Sequence, residues 1–84
     1  MESGRTLLNK NRRSRLRGIE EDLGRCLNLL NSIYDEEQEC IDNIPDNLQD
    51  GDRYSDMEAC VEALSEAVYD LEEALDSIRE AINR

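Results

Sequence analysis

The sequence contains no histidine, tryptophan or phenylalanine, and these absences narrow the classes of protein that it can encode. Without histidine, the chain cannot supply the Glu-x-x-His motifs of di-iron helical bundles. Charged residues make up 37% of the chain, which fits solvated helices better than a large mixed core. The 84 residues form one domain at most, and chains this short often need oligomerisation to bury enough surface.

Long apolar segments are also missing. No segment approaches the roughly 20 apolar residues of a membrane span. At the N-terminus, Thr6-Leu7-Leu8 is interrupted at once by Asn9-Lys10-Asn11, so the apolar core of a signal peptide is absent. We therefore expect a cytoplasmic protein that does not bind membranes. In that compartment Cys26, Cys40 and Cys60 are predicted to be reduced thiols, packed as small hydrophobic residues.

The charge is distributed unevenly along the chain. The net charge is −11, yet residues 1–18 hold six bases and one acid, whereas residues 19–84 hold twenty acids and four bases. A basic arm is thus joined to an acidic body, a division that is typical of interaction tails.

Two segments show the three-and-four spacing of apolar residues that is typical of amphipathic helices. The first contains Leu16, Ile19, Leu23, Cys26, Leu30, Ile33, Cys40 and Ile44, with a flanking row of Leu27, Tyr34 and Ile41. The second contains Met57, Val61, Leu64, Val68, Leu71, Leu75, Ile78 and Ile82, with a flanking row of Cys60, Ala67, Ala74 and Ala81. The predicted fold is all-α, an antiparallel two-helix hairpin preceded by a basic arm.

Local signals predict where the elements begin and end. Residues 1–15 form the arm, either flexible or a helical extension, and residues 16–84 form the hairpin. Helix 1 spans about 14–43 and stops before Pro45. The linker spans 44–54, with a short turn over 45–49 that places Leu48 over the end of the apolar seam. Helix 2 spans about 55–83 and starts with a capping box of Ser55 and Glu58.

The apolar stripes also predict self-association. Folding the chain about residue 50 makes an antiparallel pair, but the stripes are wider than the narrow seam that two helices cover. A single hairpin buries too little apolar area to offset the backbone entropy lost on ordering some sixty residues. We therefore predict a homodimer that forms a four-helix bundle, or a higher oligomer.

The acidic linker has the setting of a calcium loop, but its ligand positions do not fit. Asp46, Asp50 and Gly51 form a D-x-x-x-D-G pattern between two helices. Calcium needs oxygen ligands at the third and twelfth loop positions, which Leu48 and Met57 occupy. We therefore expect no calcium site.

Paired carboxylates that could serve a metal-dependent nucleotide hydrolase are present only in part. The pairs would be Glu36 with Glu39 and Glu73 with Asp76, and three of these four residues lie at predicted outer positions. The sequence therefore predicts no enzyme activity, no metal and no cofactor. Glu37, the one acid in a core position, is interpreted as a polar residue that fixes the helix register.

The outer face of helix 2 carries an unusual row of acids, which we call the acidic stripe. It consists of Glu62, Glu66, Tyr69, Glu73, Asp76 and Glu80. Exposed helices commonly place Lys four residues after Glu, which adds a few tenths of a kcal/mol per pair. Because Arg79 is the only base of this helix before the final residue, the stripe predicts either simple solubility or a docking surface for a strongly basic partner, with Tyr69 as its aromatic anchor.

The basic arm is a candidate anion-binding segment. Its bases are Lys10, Arg12, Arg13, Arg15 and Arg17. No aromatic residue is interleaved for base stacking, and the acidic body repels nucleic acid. We therefore do not expect direct DNA or RNA binding. The alternatives are contact with the acidic body of a neighbouring subunit, or a disordered tail.

The linker and its flanks carry a resemblance to known proteins. The residues concerned are Glu36-Glu37-Gln38-Glu39, Asp42-Asn43-Ile44-Pro45-Asp46-Asn47-Leu48-Gln49, Arg53 and Met57-Glu58. Over roughly residues 9–82, they resemble small helical proteins of phages and prophages of Gram-positive bacteria, whereas residues 1–8 lie outside the pattern. The resemblance implies an accessory protein made inside a bacterial host cell, and it carries over no functional residue. Four linker residues remain candidates without a role: Asn47, Leu48, Gln49 and Arg53.

These observations predict a non-catalytic, phage-type accessory protein that acts by stoichiometric binding. The most concrete hypothesis is an acidic inhibitor of a host or defence protein, directed at a basic, nucleic-acid-binding surface. One alternative is an oligomeric bundle that sequesters a small anionic or nucleotide ligand. Another is a structural or regulatory oligomer with weak nucleic-acid contact through the arm.

Overall fold

Two long helices fold back on each other in the computed structural model, which describes residues 8–84. Helix α1 spans Lys10–Asp42, a short 3₁₀ helix spans Asp46–Leu48, and helix α2 spans Asp52–Ile82. The hairpin measures 69 × 17 × 13 Å, and this part of the chain contains no strand. The predicted all-α hairpin is confirmed. None of the described helices holds an apolar stretch long enough to cross a bilayer.

Helix α1 begins earlier than its apolar pattern predicts. Asn9 is the N-cap, and its side-chain oxygen accepts a hydrogen bond of 2.8 Å from the backbone N–H of Arg12. This cap satisfies one of the free N–H groups of the first turn, so the helix continues back through residues 10–15 of the arm. Residues 1–7 of the arm lie outside the described residues. The C-terminal end at Asp42 agrees with the prediction.

Helix α2 also begins one turn early, so the predicted capping box is wrong. The N-cap is Gly51, and the N–H of Ser55 donates a 3.2 Å hydrogen bond to the Gly51 carbonyl from inside the helix. Asp52 lies in the first turn, where a negative charge interacts favourably with the helix dipole. Ser55 is therefore an ordinary helical residue.

The linker is held by hydrogen bonds within itself. The Leu48 N–H donates to the Pro45 carbonyl at 2.9 Å, which confirms the predicted short turn. The Gln49 side-chain amide donates to the Ile44 carbonyl at 3.2 Å and to the Asp46 carboxylate at 3.3 Å. Leu48 is 58% exposed, so it does not cover the end of the seam as predicted.

Replacing Gln49 by alanine is expected to lower the free energy of unfolding by about 1 kcal/mol, the typical net value of a hydrogen bond. The change removes the donor that ties the short turn to the end of α1. Urea denaturation measures the loss, and faster amide exchange at Leu48 locates it. Asn47→Ala is the matched control, since Asn47 is exposed. An equal loss in both variants would contradict this role for Gln49.

The seam of α1 is rotated relative to the predicted one. Along the seam, nine residues of α1 and the segment just after it are half-buried or buried: Leu16, Glu20, Leu23, Leu27, Leu30, Tyr34, Glu37, Ile41 and Ile44. Ile19 and Ile33, predicted as seam residues, are 45% and 49% exposed, and Cys26 and Cys40 are exposed. The rotation points the predicted flanking row of Leu27, Tyr34 and Ile41 at α2, because these larger side chains bury more apolar area than the two cysteines.

The predicted seam of α2 agrees with the burial of its residues. All eight positions of the predicted row are half-buried or buried. One ion pair between the helices marks their antiparallel register. In it, the Arg79 Nε lies 2.8 Å from Glu20 Oε2. These two positions are equidistant from the middle of the predicted fold near residue 50. Even so, only Ile41, Leu75 and Ile82 are buried among the described residues, and each keeps a few per cent of its surface exposed.

Candidate partner-binding surface

The acidic stripe lies on the exposed surface of α2. Its six members, Glu62, Glu66, Tyr69, Glu73, Asp76 and Glu80, are all exposed. Tyr69 is 60% exposed. In the single hairpin, the stripe is therefore accessible to a partner protein.

Two of the stripe carboxylates form ion pairs with arginines at the C-terminal end of α2. Asp76 lies 3.8 Å from the Arg79 guanidinium, and Glu80 lies 2.9 Å from that of Arg84. Both pairs are exposed, and such pairs contribute little to stability. Within the described residues, Glu62, Glu66 and Glu73 have no ion-pair partner. The stripe therefore has its strongest unpaired negative charge in its N-terminal two-thirds.

The single aromatic residue of the stripe interacts with a neighbouring acid. A hydrogen bond to the Glu73 carboxylate raises the pKa of the Tyr69 phenol above its usual value of 10.0, with desolvation and the charge of Asp70 acting in the same direction. The neighbouring acids therefore favour the neutral form of the phenol. An aromatic ring held beside a carboxylate presents both apolar area and negative charge to a partner.

A shallow groove runs between the helices beside the stripe. Near the chain ends it is lined by Gly24, Leu27, Asn28, Glu72, Leu75, Asp76 and Arg79. Near the linker it is lined by Gln38, Ile41, Asp42, Tyr54, Glu58, Val61 and Glu62. Sequence reasoning did not predict that Glu58 and Glu72 extend the acidic surface into this groove. The rotated seam is the reason, since it turns the polar residues of α1 towards these acids.

The five bases of the arm are helical, and two of them, Arg12 and Arg15, line a depression together with Leu8, Leu16 and Ile19. Lys10, Arg12, Arg15 and Arg17 are exposed and Arg13 is half-buried. The Arg13 guanidinium donates to the Leu8 carbonyl at 3.4 Å, and Arg15 donates to Asn11 at 3.4 Å. None of the five forms an ion pair with a described residue. Their charges are therefore available to another molecule.

The linker candidates separate into different roles. Gln49 holds the turn, as described above. Leu48 and Arg53 line a depression together with Pro45 and Tyr54, whereas Asn47 is exposed. The linker therefore offers a small mixed surface at one end of the hairpin.

Candidate metal ligands do not cluster in the described residues. Across residues 8–84, no three Cys, Asp or Glu side chains come together as a metal-binding group. Cys26, Cys40 and Cys60 are free thiols and all three are exposed. The prediction that they pack as small hydrophobic residues is therefore wrong for the single hairpin.

Comparison of the chain with known protein families, with curated proteins and with solved structures gives no match.

Proposed function

We propose that the protein is a non-catalytic binding protein whose acidic stripe docks on a basic surface of another protein. The observation that carries the proposal is the exposure of Glu62, Glu66 and Glu73 without ion-pair partners in the described residues, with Tyr69 exposed between them. Like charges at this spacing destabilise a helix by a few tenths of a kcal/mol per pair. A basic partner would offset that cost and provide attraction across the interface.

The resemblance of the linker to small phage and prophage proteins supports a biological setting for this binding. In that setting the partner is a host or defence protein inside a bacterial cell, and its basic surface is one that otherwise contacts nucleic acid. Occupation of that surface by the acidic stripe would inhibit the partner by competition. The activity is stoichiometric, with no chemical step.

We also propose that the hairpin associates with itself into a four-helix bundle. Three buried side chains among the described residues are too few for a hairpin of this length, because backbone ordering alone costs about 1–2 kcal/mol per residue. Self-association would bury additional apolar area and leave the acidic stripe outside. The mass of the folded species in solution tests this part of the proposal.

Reversing Glu66 and Glu73 together to lysine is expected to weaken partner binding at least about 100-fold. Two lost charge contacts of about 1.5 kcal/mol each give this factor. The measurement is recovery of specific proteins from a Gram-positive bacterial lysate on the immobilised chain, followed by titration of each recovered protein.

Glu21→Lys with Asp35→Lys is the matched control, because it makes the same change in net charge at exposed positions of α1. We expect the immobilised wild type and this control to recover the proteins that bind through the stripe. The Glu66→Lys, Glu73→Lys variant is expected not to recover them. Partners that bind all three forms equally would refute docking through the stripe.

A further inference from the structure

One side of the hairpin exposes apolar residues along its whole length. On α1 they are Ile19, Cys26, Leu29, Ile33 and Cys40, and on α2 they are Cys60, Ala67, Ala74 and Ala81; all are exposed except the half-buried Ala81. We call this surface the apolar face. It lies on the side opposite the acidic groove, because the groove is lined by residues such as Asn28 and Asp76, which project from the other flank of each helix.

The exposed large hydrophobic residues are concentrated on this face. Ile19, Leu29 and Ile33 are 45%, 66% and 49% exposed, and only two other large hydrophobic side chains of the described residues are comparably exposed. Scattered apolar residues are normal on protein surfaces, but a continuous patch marks an interaction site. The spacing of seven residues in both rows is that of a helix-packing surface.

The size of the face matches a standard protein interface. A helix of 33 residues is about 50 Å long at 1.5 Å per residue. With a hairpin width of 17 Å, the face covers roughly 800 Å², the area that one partner commonly contributes to a stable complex.

The charges of α1 indicate what covers the face. Residues 10–25 hold six bases and three acids, whereas residues 35–42 hold five acids and no base. This order opposes the helix dipole, which favours acids at the N-terminus and bases at the C-terminus. The first turn of α1 indeed contains no acid and its last turn no base. The arrangement therefore does not stabilise α1 itself.

The same charges remain unpaired within the hairpin. In the described residues, no arm base and no acid of residues 35–58 takes part in an ion pair; all four ion pairs involve Asp22, Glu20, Asp76 or Glu80. A second copy that runs in the opposite direction places charges of opposite sign beside both ends of the first copy. Its acidic linker end meets the basic end of the first copy, and the helix dipoles are also antiparallel.

We propose that a second copy of the chain covers the apolar face in the antiparallel orientation, with α1 packed on α1 and α2 packed on α2. The inference rests on the self-association proposed above and adds the surface and the direction. The twofold axis passes near Leu29, the midpoint of the α1 row. Ile19 then faces Cys40 of the second copy and Cys26 faces its Ile33, so a large side chain meets a small one in both of these layers, and the leucines at position 29 meet at the axis. The alanines of α2 allow the two copies of that helix to approach closely.

The opposite orientation is the competing arrangement. In a parallel dimer, α1 of one copy packs on α2 of the other and both acidic linker ends lie together. Residues 35–62 hold eleven acids and one base, so that arrangement brings two strongly negative ends into proximity. Cys40 and Cys60 of both copies would then fall in one layer.

A spin-label distance distinguishes the two orientations. The label is placed by Asn47→Cys in a chain that also carries Cys26→Ala, Cys40→Ala and Cys60→Ala, which keep the apolar face apolar. Antiparallel copies place the two labels on the order of 50 Å apart, whereas parallel copies place them within about 25 Å. The long distance supports the proposal, and the short distance refutes the orientation while leaving self-association intact.

A charge placed on the face tests the surface itself. Leu29→Lys is expected to abolish the dimer at micromolar concentration, and Asn28→Lys, which adds the same charge one residue away on the groove side, is expected to retain it. Circular dichroism of the same samples is expected to show helix lost together with the dimer in Leu29→Lys, as on dilution of the wild type, and both retained in Asn28→Lys. A dimer that survives Leu29→Lys would refute the apolar face as the interface. A wild-type chain that is monomeric and helical would refute self-association itself.

Discussion

Replacing Leu75 by alanine is expected to lower the free energy of unfolding by about 3 kcal/mol. Leu75 is 3% exposed, the most buried of the core side chains. It lies in the seam of α2, beside Leu27 of α1. Truncation of a buried leucine removes its transfer free energy and leaves a cavity, for a typical total of about 2–5 kcal/mol. Few side chains share the core, so the loss represents a large part of the total stability.

Leu48→Ala is the matched control for this change. Leu48 is 58% exposed in the linker, and substitutions at such sites usually change stability by less than about 0.5 kcal/mol. Both variants are measured by urea denaturation at one protein concentration, because an oligomer's stability depends on concentration. A similar effect of the two substitutions would show that the seam does not hold the hairpin together as described.

Replacing Glu37 by leucine is expected to increase the free energy of unfolding by about 1–2 kcal/mol, the gain from burying an aliphatic side chain in part. Glu37 is half-buried in the seam, between Leu30 and Ile44 in the same row. It has no ion-pair partner among the described residues, and neighbouring acids surround it along α1. The substitution adds apolar area and removes one of the like charges.

The control for this second prediction is Glu39→Leu, which makes the same chemical change at an exposed position. Its expected effect is within about 0.5 kcal/mol of zero. If Glu37 fixes the helix register, the Glu37→Leu variant is more stable but forms a mixture of assembly states, which sedimentation detects. A loss of stability in that variant would contradict the placement of Glu37 in the seam.

The hairpin itself could be predicted because several signals agree. The apolar spacing predicted two helices, Pro45 predicted the end of α1, and the equal helix lengths predicted the antiparallel pairing that the Glu20–Arg79 ion pair now supports. The starts of the helices were predicted less well. Asn9 and Gly51 act as N-caps, and neither lies at an apolar position that the spacing could have marked.

The rotation of the α1 seam could not be deduced from spacing alone. Two adjacent rows satisfy the helical pattern, one with Ile19 and Ile33 and the other with Leu27 and Tyr34. The choice depends on which row buries more area against α2, and the second row brings Glu20 into the seam. The signal that was missed is Arg79, which lies opposite Glu20 once the chain folds near residue 50 and can pair with its charge.

The acidic stripe was predicted correctly as an exposed row, because outer positions of a helix follow directly from its periodicity. Its extension into the groove could not be predicted, since Glu58 and Glu72 reach that groove only through the way α1 is rotated. The binding role of the stripe stays a prediction. The exposure of Cys26 and Cys40 differs from expectation for the same reason as the seam, and it revealed the apolar face.

The mass of the folded wild-type chain in solution tests most directly whether the hairpin is stable only as an oligomer. Sedimentation equilibrium is measured over a range of concentrations, with circular dichroism of the same samples to report helix content. We expect a helical species of twice the chain mass of 9.7 kDa, and loss of helix on dilution as the dimer dissociates. A compact helical species of 9.7 kDa that persists on dilution would contradict the account.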